Sequence, residues 1–132
     1  MGLCKQNYIL IEPNRLIPTE EINELHALEL EKHIKACGRW KIPVSVHKHA
    51  MFVMDGHHRL SIAKRLKLAR MPVVLLDYDK VDVCAWRDGE IVTPQLIIEK
   101  AQNGKKFPYK TTRHIFKEPL PACDIPLHEL QK

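Results

Sequence analysis

The feature that most constrains the fold is a short segment in which a strand pattern stops at a glycine and a helical pattern begins. Residues 50–54 (AMFVM) predict a strand, and Asp55-Gly56 breaks it. Apolar residues then recur at helical spacing, at Leu60, Ala63 and Leu66. A helix is therefore expected from about residue 57 to residue 67. Such a strand–glycine–helix junction is typical of α/β domains.

The rest of the pattern predicts short strands interleaved with helices. Strands are expected at residues 8–12, 42–47, 71–78 and 81–86, where apolar runs occur. One further helix is expected to begin with Thr93 as N-cap and Pro94 at its first position. The fold class predicted is α/β or α+β, a compact domain with a small mixed sheet and about three helices.

The first helix is predicted from capping residues. Thr19 is a plausible N-cap followed by two acidic residues, and Gly38 is well placed to end the helix. Its expected apolar face is made of Leu25, Leu28 and Ile34.

A single domain covering residues 1–132 is expected from the length. The segment 105–132 is rich in proline and polar residues. We expect this tail to wrap the domain as a loop, with residues 125–130 packing as a short final turn.

The charge and the cysteines place limits on function without choosing one. The net charge of +5 attracts anions, whether nucleic acid, nucleotide phosphates or a membrane surface.

No secretion signal or long apolar run is visible, so a cytoplasmic protein without a membrane span is expected. The sequence MGLCKQ lacks the Ser or Thr of a myristoylation signal at its sixth position. Free thiols, rather than a zinc knuckle, are expected at Cys4, Cys37, Cys84 and Cys123.

The glycine junction carries the residues most suited to chemistry. A helix N-terminus offers free N–H groups and a partial positive charge, and Gly56 lets a ligand approach the backbone closely. His57, His58 and Arg59 then place cations or donors where the helix dipole disfavours positive charge, which makes sense if an anion sits there. Asp55 is placed to hold Mg²⁺ or to orient a hydroxyl. The alternative is a turn in which Asp55 caps the helix and the histidines are solvated.

The junction and its surroundings resemble the ParB/sulfiredoxin superfamily. The run VMDGHHRLSIAKRL at 53–66 is preceded by PVSV at 43–46 and followed by MPVVLLDYD at 71–79. In sulfiredoxin the matching segment is a Gly-Cys-His-Arg motif that holds ATP phosphates, and in ParB a Gly-Glu-Arg-Arg motif holds CTP phosphates. His57 stands where sulfiredoxin has its catalytic cysteine, so sulfinic-acid reductase chemistry is not expected.

Within that superfamily the chain is most similar to the free-serine kinase branch. The shared features are DGHHR at 55–59, the Trp86-Arg87 pair and FPYKTTRH at 107–114. The resemblance implies ATP or ADP with Mg²⁺ as cofactors and a small hydroxy amino acid such as serine as partner.

The resemblance also implies roles for individual residues. Glu20 would be the general base, although Glu21 beside it leaves the assignment open by one position. Asp55 would be the second catalytic residue and the ligand of Mg²⁺. Donor phosphates would be held by Gly56, His57, His58 and Arg59. The acceptor would be bound by Trp86, Thr112, Arg113 and His114.

The predicted function is therefore a nucleotide-dependent phosphotransferase acting on the hydroxyl of free serine or a similar small hydroxy acid. The alternative is a ParB-like nucleotide-binding regulatory or DNA-associated module without kinase activity. That alternative is disfavoured because no helix-turn-helix segment follows the domain within these residues. A nuclease is disfavoured because no cluster of metal-binding carboxylates is apparent.

Overall fold

The computed structural model describes residues 8–132, in which short strands and helices alternate. The predictions about the N-terminal lipidation signal and about Cys4 lie outside the described residues. Within residues 8–132 the strands are β1 (Ile9–Ile11), β2 (Arg39–Trp40), β3 (Val44–His47), β4 (Val53–Asp55), β5 (Met71–Leu76), β6 (Val81–Ala85), β7 (Thr112–Phe116) and β8 (Ile125–Pro126). The helices of the same range are α1 (Glu24–Cys37), α2 (His57–Arg65), α3 (Pro94–Gln102) and α4 (Leu127–Leu130).

The strands form one mixed sheet and two small ribbons. The main sheet has the order β1-β5-β3-β4, in which β5 and β3 are parallel and the two outer pairs are antiparallel. Strand β2 pairs with β8, and β6 pairs with β7, both antiparallel. The predicted mixed α/β fold is therefore confirmed, with four helices in the described residues instead of about three.

Two apolar cores meet at the strand–glycine–helix junction. Val53 of β4 belongs to the core that contains Trp40 and Ile62, whereas Met54 belongs to the core that contains Phe52 and Ile97. Successive strand residues face opposite sides of a sheet, so neighbouring positions of β4 contribute to different cores. The end of β4 and the start of α2 are thereby fixed between two packed layers.

The start of the first helix differs from the prediction. Asn23, not Thr19, is the N-cap of α1, and its side chain accepts a hydrogen bond from the His26 N–H at 3.1 Å. Thr19 is buried, and its backbone N–H donates to Nε2 of His57 at 3.1 Å. Thr19, which the local pattern predicted as the N-cap, is therefore engaged in a tertiary contact with His57 instead. Gly38 ends the helix as predicted, with φ of 74°.

The apolar face assigned to α1 is only partly correct. Leu25 and Leu28 are exposed, and the buried residues of the helix are Ala27 and Ile34. The face follows from packing on α2, which the spacing of leucines alone does not reveal.

The tail also differs from the prediction of a loop. Residues 112–116 form β7, which pairs with β6 from Val81↔Phe116 to Ala85↔Thr112. Composition alone does not predict this strand, because the strand is stabilised by pairing with β6, which is remote in sequence. The short final turn predicted at 125–130 is present as β8 and α4.

The described residues contain free thiols and no membrane-spanning helix. Cys37, Cys84 and Cys123 are unpaired in this part of the chain. Between residues 8 and 132, none of the helices has both the length and the apolar character required to cross a bilayer.

Replacing Gly56 by alanine is expected to destabilise the fold by about 2–4 kcal/mol. The residue has φ of 112°, and an added Cβ would lie 2.9 Å from Cγ2 of Val44. Gly89→Ala is the matched control, because Gly89 has φ of 84° and nothing within 4 Å of an added Cβ. Urea unfolding measures the free energy of unfolding of both variants. If the two variants lost equal amounts of unfolding free energy, the contact with Val44 would contribute nothing beyond the backbone strain.

Candidate functional site

A cavity of about 560 Å³ lies at the N-terminus of α2. Its walls come from the β4–α2 junction, from α1, and from the segment that precedes β7. Eight of the residues predicted for the site line it: Glu20, Asp55, Gly56, His57, His58, Arg59, Trp86 and Thr112. The fold thus gathers residues from four distant parts of the sequence around one space.

The first turn of α2 presents an anion site. Gly56 occupies the N-cap position, and no side chain among the described residues caps the helix there. The N–H groups of the first turn are therefore available to a ligand, and the helix dipole favours a negative one.

The two histidines hold the neighbouring loop to the helix. Nε2 of His57 accepts from the Thr19 N–H at 3.1 Å, and Nε2 of His58 accepts from the Asn23 N–H at 3.0 Å. A ring nitrogen that accepts must be unprotonated, so each ring carries its proton on Nδ1. Burial lowers the pKa of His57 to about 3, with a further contribution from His114. Burial also lowers the pKa of His58. The histidines are therefore neutral, so of the two roles expected for them, cation or hydrogen-bond donor, only the donor role fits their surroundings.

Arg59 is the permanent cation of this turn. Its side chain is half-buried, and it takes part in none of the ion pairs among residues 8–132. Burial lowers the pKa of the guanidinium, which nevertheless stays charged at neutral pH. A half-buried guanidinium without a paired carboxylate is well suited to bind phosphate with two parallel hydrogen bonds.

Asp55 is held by its backbone and exposes its carboxylate. The Asp55 N–H donates to Oγ of Ser45 at 3.0 Å, and that hydroxyl donates to the Asp55 carbonyl at 3.2 Å. No three His, Cys, Asp or Glu side chains within residues 8–132 are arranged to bind a metal ion together. Mg²⁺ is commonly held by one or two carboxylates together with substrate phosphates, so Asp55 fits a metal site that phosphate oxygens complete.

Glu20 is a buried carboxylate with fixed orientation. It is 8% exposed, Oε1 accepts from the Thr111 N–H at 2.9 Å, and Oε2 accepts from Oγ1 of Thr112 at 2.7 Å. Burial raises the pKa of Glu20, and these hydrogen bonds offset only part of that effect. Glu21 is exposed, although it also lines the cavity. Of the two neighbours, Glu20 has the geometry and the basicity of a positioned proton acceptor.

The residues predicted for acceptor binding separate into two groups. Trp86 and Thr112 line the cavity, and the indole N–H of Trp86 donates to the Thr112 carbonyl at 3.0 Å. Arg113 is exposed and lies with its guanidinium carbon 4.9 Å from the Trp86 ring centre. His114 does not line the cavity, and its Nε2 is 2.9 Å from the Tyr78 hydroxyl.

Sequence reasoning missed the contribution of α1 and, within the FPYKTTRH segment, that of Tyr109 and Lys110. His26, Leu30 and His33 line the cavity, as do Tyr109 and Lys110. The Tyr109 hydroxyl is 3.0 Å from Nδ1 of His26, which joins the two walls across the cavity. The signal was present, because His26, Leu30 and His33 have the i, i+4, i+7 spacing of one helix face.

Stability is expected to fall in acid because the site histidines are neutral in the folded state. Burial lowers the pKa of His114 to about 4 and that of His57 to about 3, against an ordinary value of 6.5. A lowered folded pKa gives stability that is full above pH 6.5 and is lost as the pH falls toward the folded values. Urea unfolding from pH 7 to 4 measures this loss. His114→Gln should make the unfolding free energy depend less steeply on pH, whereas replacing the exposed His128 by glutamine should leave that dependence unchanged. Identical slopes in all three proteins would contradict the assignment.

Comparisons with known proteins find relatives among serine kinases and ParB-like proteins. No family model matches the chain. An ATP-dependent L-serine kinase of Desulfurococcus mucosus is 28% identical over 99 residues, covering 70% of this chain and 39% of the relative. A ParB-like protein of Sulfolobus acidocaldarius is 30% identical over 92 residues, covering 67% of this chain and 45% of the relative. The chain thus spans less than half the length of these relatives.

The fold is shared with solved structures of low sequence identity. A free serine kinase in complex with AMP has a TM-score of 0.86 at 17% identity, over 94% of this chain and 93% of that one. SbnI with a C-terminal truncation, from Staphylococcus aureus, has a TM-score of 0.86 at 12% identity, over 100% of this chain and 92% of that one. The fold predicted from DGHHR and KTTRH is therefore confirmed.

Proposed function

We propose that this chain, which has the ParB/sulfiredoxin fold, transfers a phosphoryl group from a nucleotide to the hydroxyl of free serine or a similar small hydroxy acid. The observation that carries the proposal is the placement of Glu20. Its buried carboxylate lines the same cavity as the uncapped N-terminus of α2 and the free guanidinium of Arg59. A proton acceptor beside an anion site is the arrangement that phosphoryl transfer to a hydroxyl requires.

The donor in this proposal is ATP or ADP. Its phosphates bind the backbone N–H groups of the first turn of α2 and the side chain of Arg59, and the Nδ1–H groups of His57 and His58 supply further donors. The rest of the nucleotide lies along the face of α1. Asp55 would hold Mg²⁺ together with phosphate oxygens, and the ion would neutralise their charge.

The reaction follows from these placements. Glu20 orients the acceptor hydroxyl and takes its proton, and the hydroxyl oxygen forms a new bond to phosphorus. The bond from phosphorus to the bridging oxygen breaks, and its electron pair leaves with the nucleotide. Arg59 and the α2 N-terminus stabilise the charge on the phosphoryl oxygens during transfer. Thr111 and Thr112 keep the carboxylate in place.

The predicted acceptor residues take different parts in this proposal. Trp86 lines the cavity and is exposed, and Thr112 positions Glu20. Neither Arg113 nor His114 lines the cavity, so the proposed effect of Arg113 on the acceptor is exerted through Trp86, against whose ring it lies, and that of His114 through the β7 backbone.

A nucleotide-binding module without turnover is the second candidate. The ParB-like relative at 30% identity favours it. In that case the anion site would bind a nucleotide as a regulatory ligand, and Glu20 would have only a structural role.

A panel of nucleotides and acceptors separates the two candidates. Thermal shift and nucleotide consumption are measured with ATP, ADP and CTP in Mg²⁺, each with and without serine and homoserine. The kinase proposal predicts a shift with ATP or ADP and consumption that depends on the hydroxy amino acid. A shift with CTP and no consumption would support the regulatory module instead.

A further inference from the structure

A tight turn at residues 108–111, called here the 108–111 turn, brings hydrogen-bond donors to the Glu20 carboxylate. The turn begins after Phe107, whose N–H and carbonyl each form a backbone hydrogen bond of 2.8 Å with the residues on either side of Glu20. It ends at Thr111, which is followed by Thr112, the first residue of β7. The path of the turn therefore determines where the donors of Thr111 and Thr112 lie relative to Glu20.

The hydrogen bond that closes the 108–111 turn comes from a side chain. In a four-residue turn the N–H of the fourth residue often donates to the carbonyl of the first. Here the hydroxyl of Thr111, the fourth residue, donates to the Pro108 carbonyl at 2.6 Å. The N–H of Thr111 donates instead to Oε1 of Glu20 at 2.9 Å. The hydroxyl has thus taken the place of the backbone N–H in the turn, and the N–H holds the carboxylate.

The third residue of the turn, Lys110, has a left-handed backbone. Its φ is 55°. Positive φ at this position is characteristic of type II turns, in which glycine or asparagine is the usual residue. A lysine there has a steric cost, because its Cβ approaches the carbonyl oxygen that follows. Such strain persists where the surrounding structure holds it, and the two hydrogen bonds of Thr111 hold this turn on its C-terminal side.

Thr111 is enclosed, and each of its polar groups has a different partner. The residue is 5% exposed, and its carbonyl accepts from the Trp86 N–H at 3.3 Å, in addition to the two bonds that it donates. It does not line the cavity, whereas Thr112 does. Its hydroxyl is therefore placed to shape the backbone and is not placed to bind a ligand.

We propose that Thr111 is a positioning residue for Glu20: its hydroxyl closes the 108–111 turn in place of its own N–H, which is thereby available to orient the carboxylate. Thr112 holds the second carboxylate oxygen through its hydroxyl at 2.7 Å, so each oxygen has its own donor. The catalytic consequence rests on the proposed function, in which Glu20 takes the proton of the acceptor hydroxyl. A carboxylate that lost one of the two donors would be less well oriented for that transfer.

The amide signal of residue 111 tests the arrangement without any substrate. ¹H–¹⁵N NMR spectra of the unliganded protein are recorded across the pH range in which Glu20 ionises. The Thr111 amide proton should shift as its acceptor becomes charged, and this shift should vanish in Glu20→Gln. It should also be lost in Thr111→Val, which keeps the shape but lacks the hydroxyl, and be retained in Thr111→Ser. An amide that titrates in Thr111→Val as it does in wild type would overturn the proposal.

Kinetics of the same variants test the consequence for catalysis. Thr111→Val is expected to lower kcat about tenfold and to change the KM for the nucleotide less than about twofold, because Thr111 does not line the cavity. Thr111→Ser should restore kcat. Wild-type kcat in Thr111→Val would overturn the positioning role and leave the proposed function standing. A wild-type protein without turnover, whose residue 111 amide follows Glu20, would overturn the proposed function and leave the hydrogen-bond arrangement standing.

Variants of Lys110 test the turn even if Thr111→Val does not fold. Lys110→Gly and Lys110→Ala both remove the side chain, so they differ in how easily the backbone adopts positive φ. Lys110→Gly should therefore unfold at a higher urea concentration than Lys110→Ala, and its residue 111 amide should still titrate with Glu20. Where φ is negative the order is the reverse, because glycine has more conformational freedom to lose. An alanine variant that unfolds at the higher urea concentration would overturn the turn geometry on which the proposal depends.

Discussion

Replacing Glu20 by glutamine is expected to reduce serine-dependent turnover by about 10²–10⁴-fold, the range typical of losing a general base. Glutamine has the same shape and can still accept from the Thr111 N–H, so the fold and nucleotide binding should be preserved. It cannot take a proton from the acceptor. The measurement is kcat under saturating nucleotide and serine, together with a nucleotide thermal shift to show that binding is intact.

Glu21→Gln is the matched control for this prediction. Glu21 is the adjacent residue, lines the same cavity and is exposed, so its loss should change kcat far less. If Glu21→Gln abolished turnover and Glu20→Gln did not, the base would be the neighbouring residue. Wild-type kcat should also rise as the pH increases through the pKa of Glu20, which burial raises above the ordinary value. The residual activity of the Glu20→Gln protein should not show this rise of kcat with pH.

Replacing Arg59 by alanine is expected to weaken nucleotide binding by about 10–150-fold. The estimate corresponds to losing a charged hydrogen bond worth about 1.5–3 kcal/mol. Arg59 lines the cavity beside the α2 N-terminus and, within residues 8–132, has no ion-pair partner whose loss would confuse the result. The Kd for ADP, measured by calorimetry at fixed salt, is the readout.

Arg15→Ala controls for the loss of one positive charge. Arg15 is exposed in the turn Pro13–Arg15 and does not line the cavity, so its removal should change the Kd less than twofold. Equal affinities of wild type and Arg59→Ala would contradict the assignment of the phosphate site. Circular dichroism of Arg59→Ala checks that α2 is intact.

The parts of the fold set by local interactions could be predicted from the sequence. The α2 start at His57, the Gly38 C-cap and the Thr93 N-cap follow from glycine and capping chemistry within a few residues. The start of α1 could not be predicted, because Thr19 is engaged by His57 from 38 residues away. The strand β7 was missed for the same reason, since its partner β6 lies about 30 residues earlier.

The candidate site shows the same division between local and tertiary information. Asp55 to Arg59 are consecutive, so their convergence on one cavity follows from a single turn of chain. The protonation state of His57 depends on burial and on the Thr19 backbone, which residue type alone does not give. Likewise, Arg113 alternates with Thr112 along β7 and therefore faces away from Glu20. Position in a motif did not distinguish these two residues, whereas strand alternation does.

The most direct test of the account is identification of the product by ³¹P NMR after incubation with ATP or ADP, Mg²⁺ and serine. The account predicts O-phosphoserine in amounts equal to the nucleotide consumed, and its loss in the Glu20→Gln protein. Nucleotide binding without O-phosphoserine, or O-phosphoserine formed equally well by the Glu20→Gln protein, would contradict the central claim.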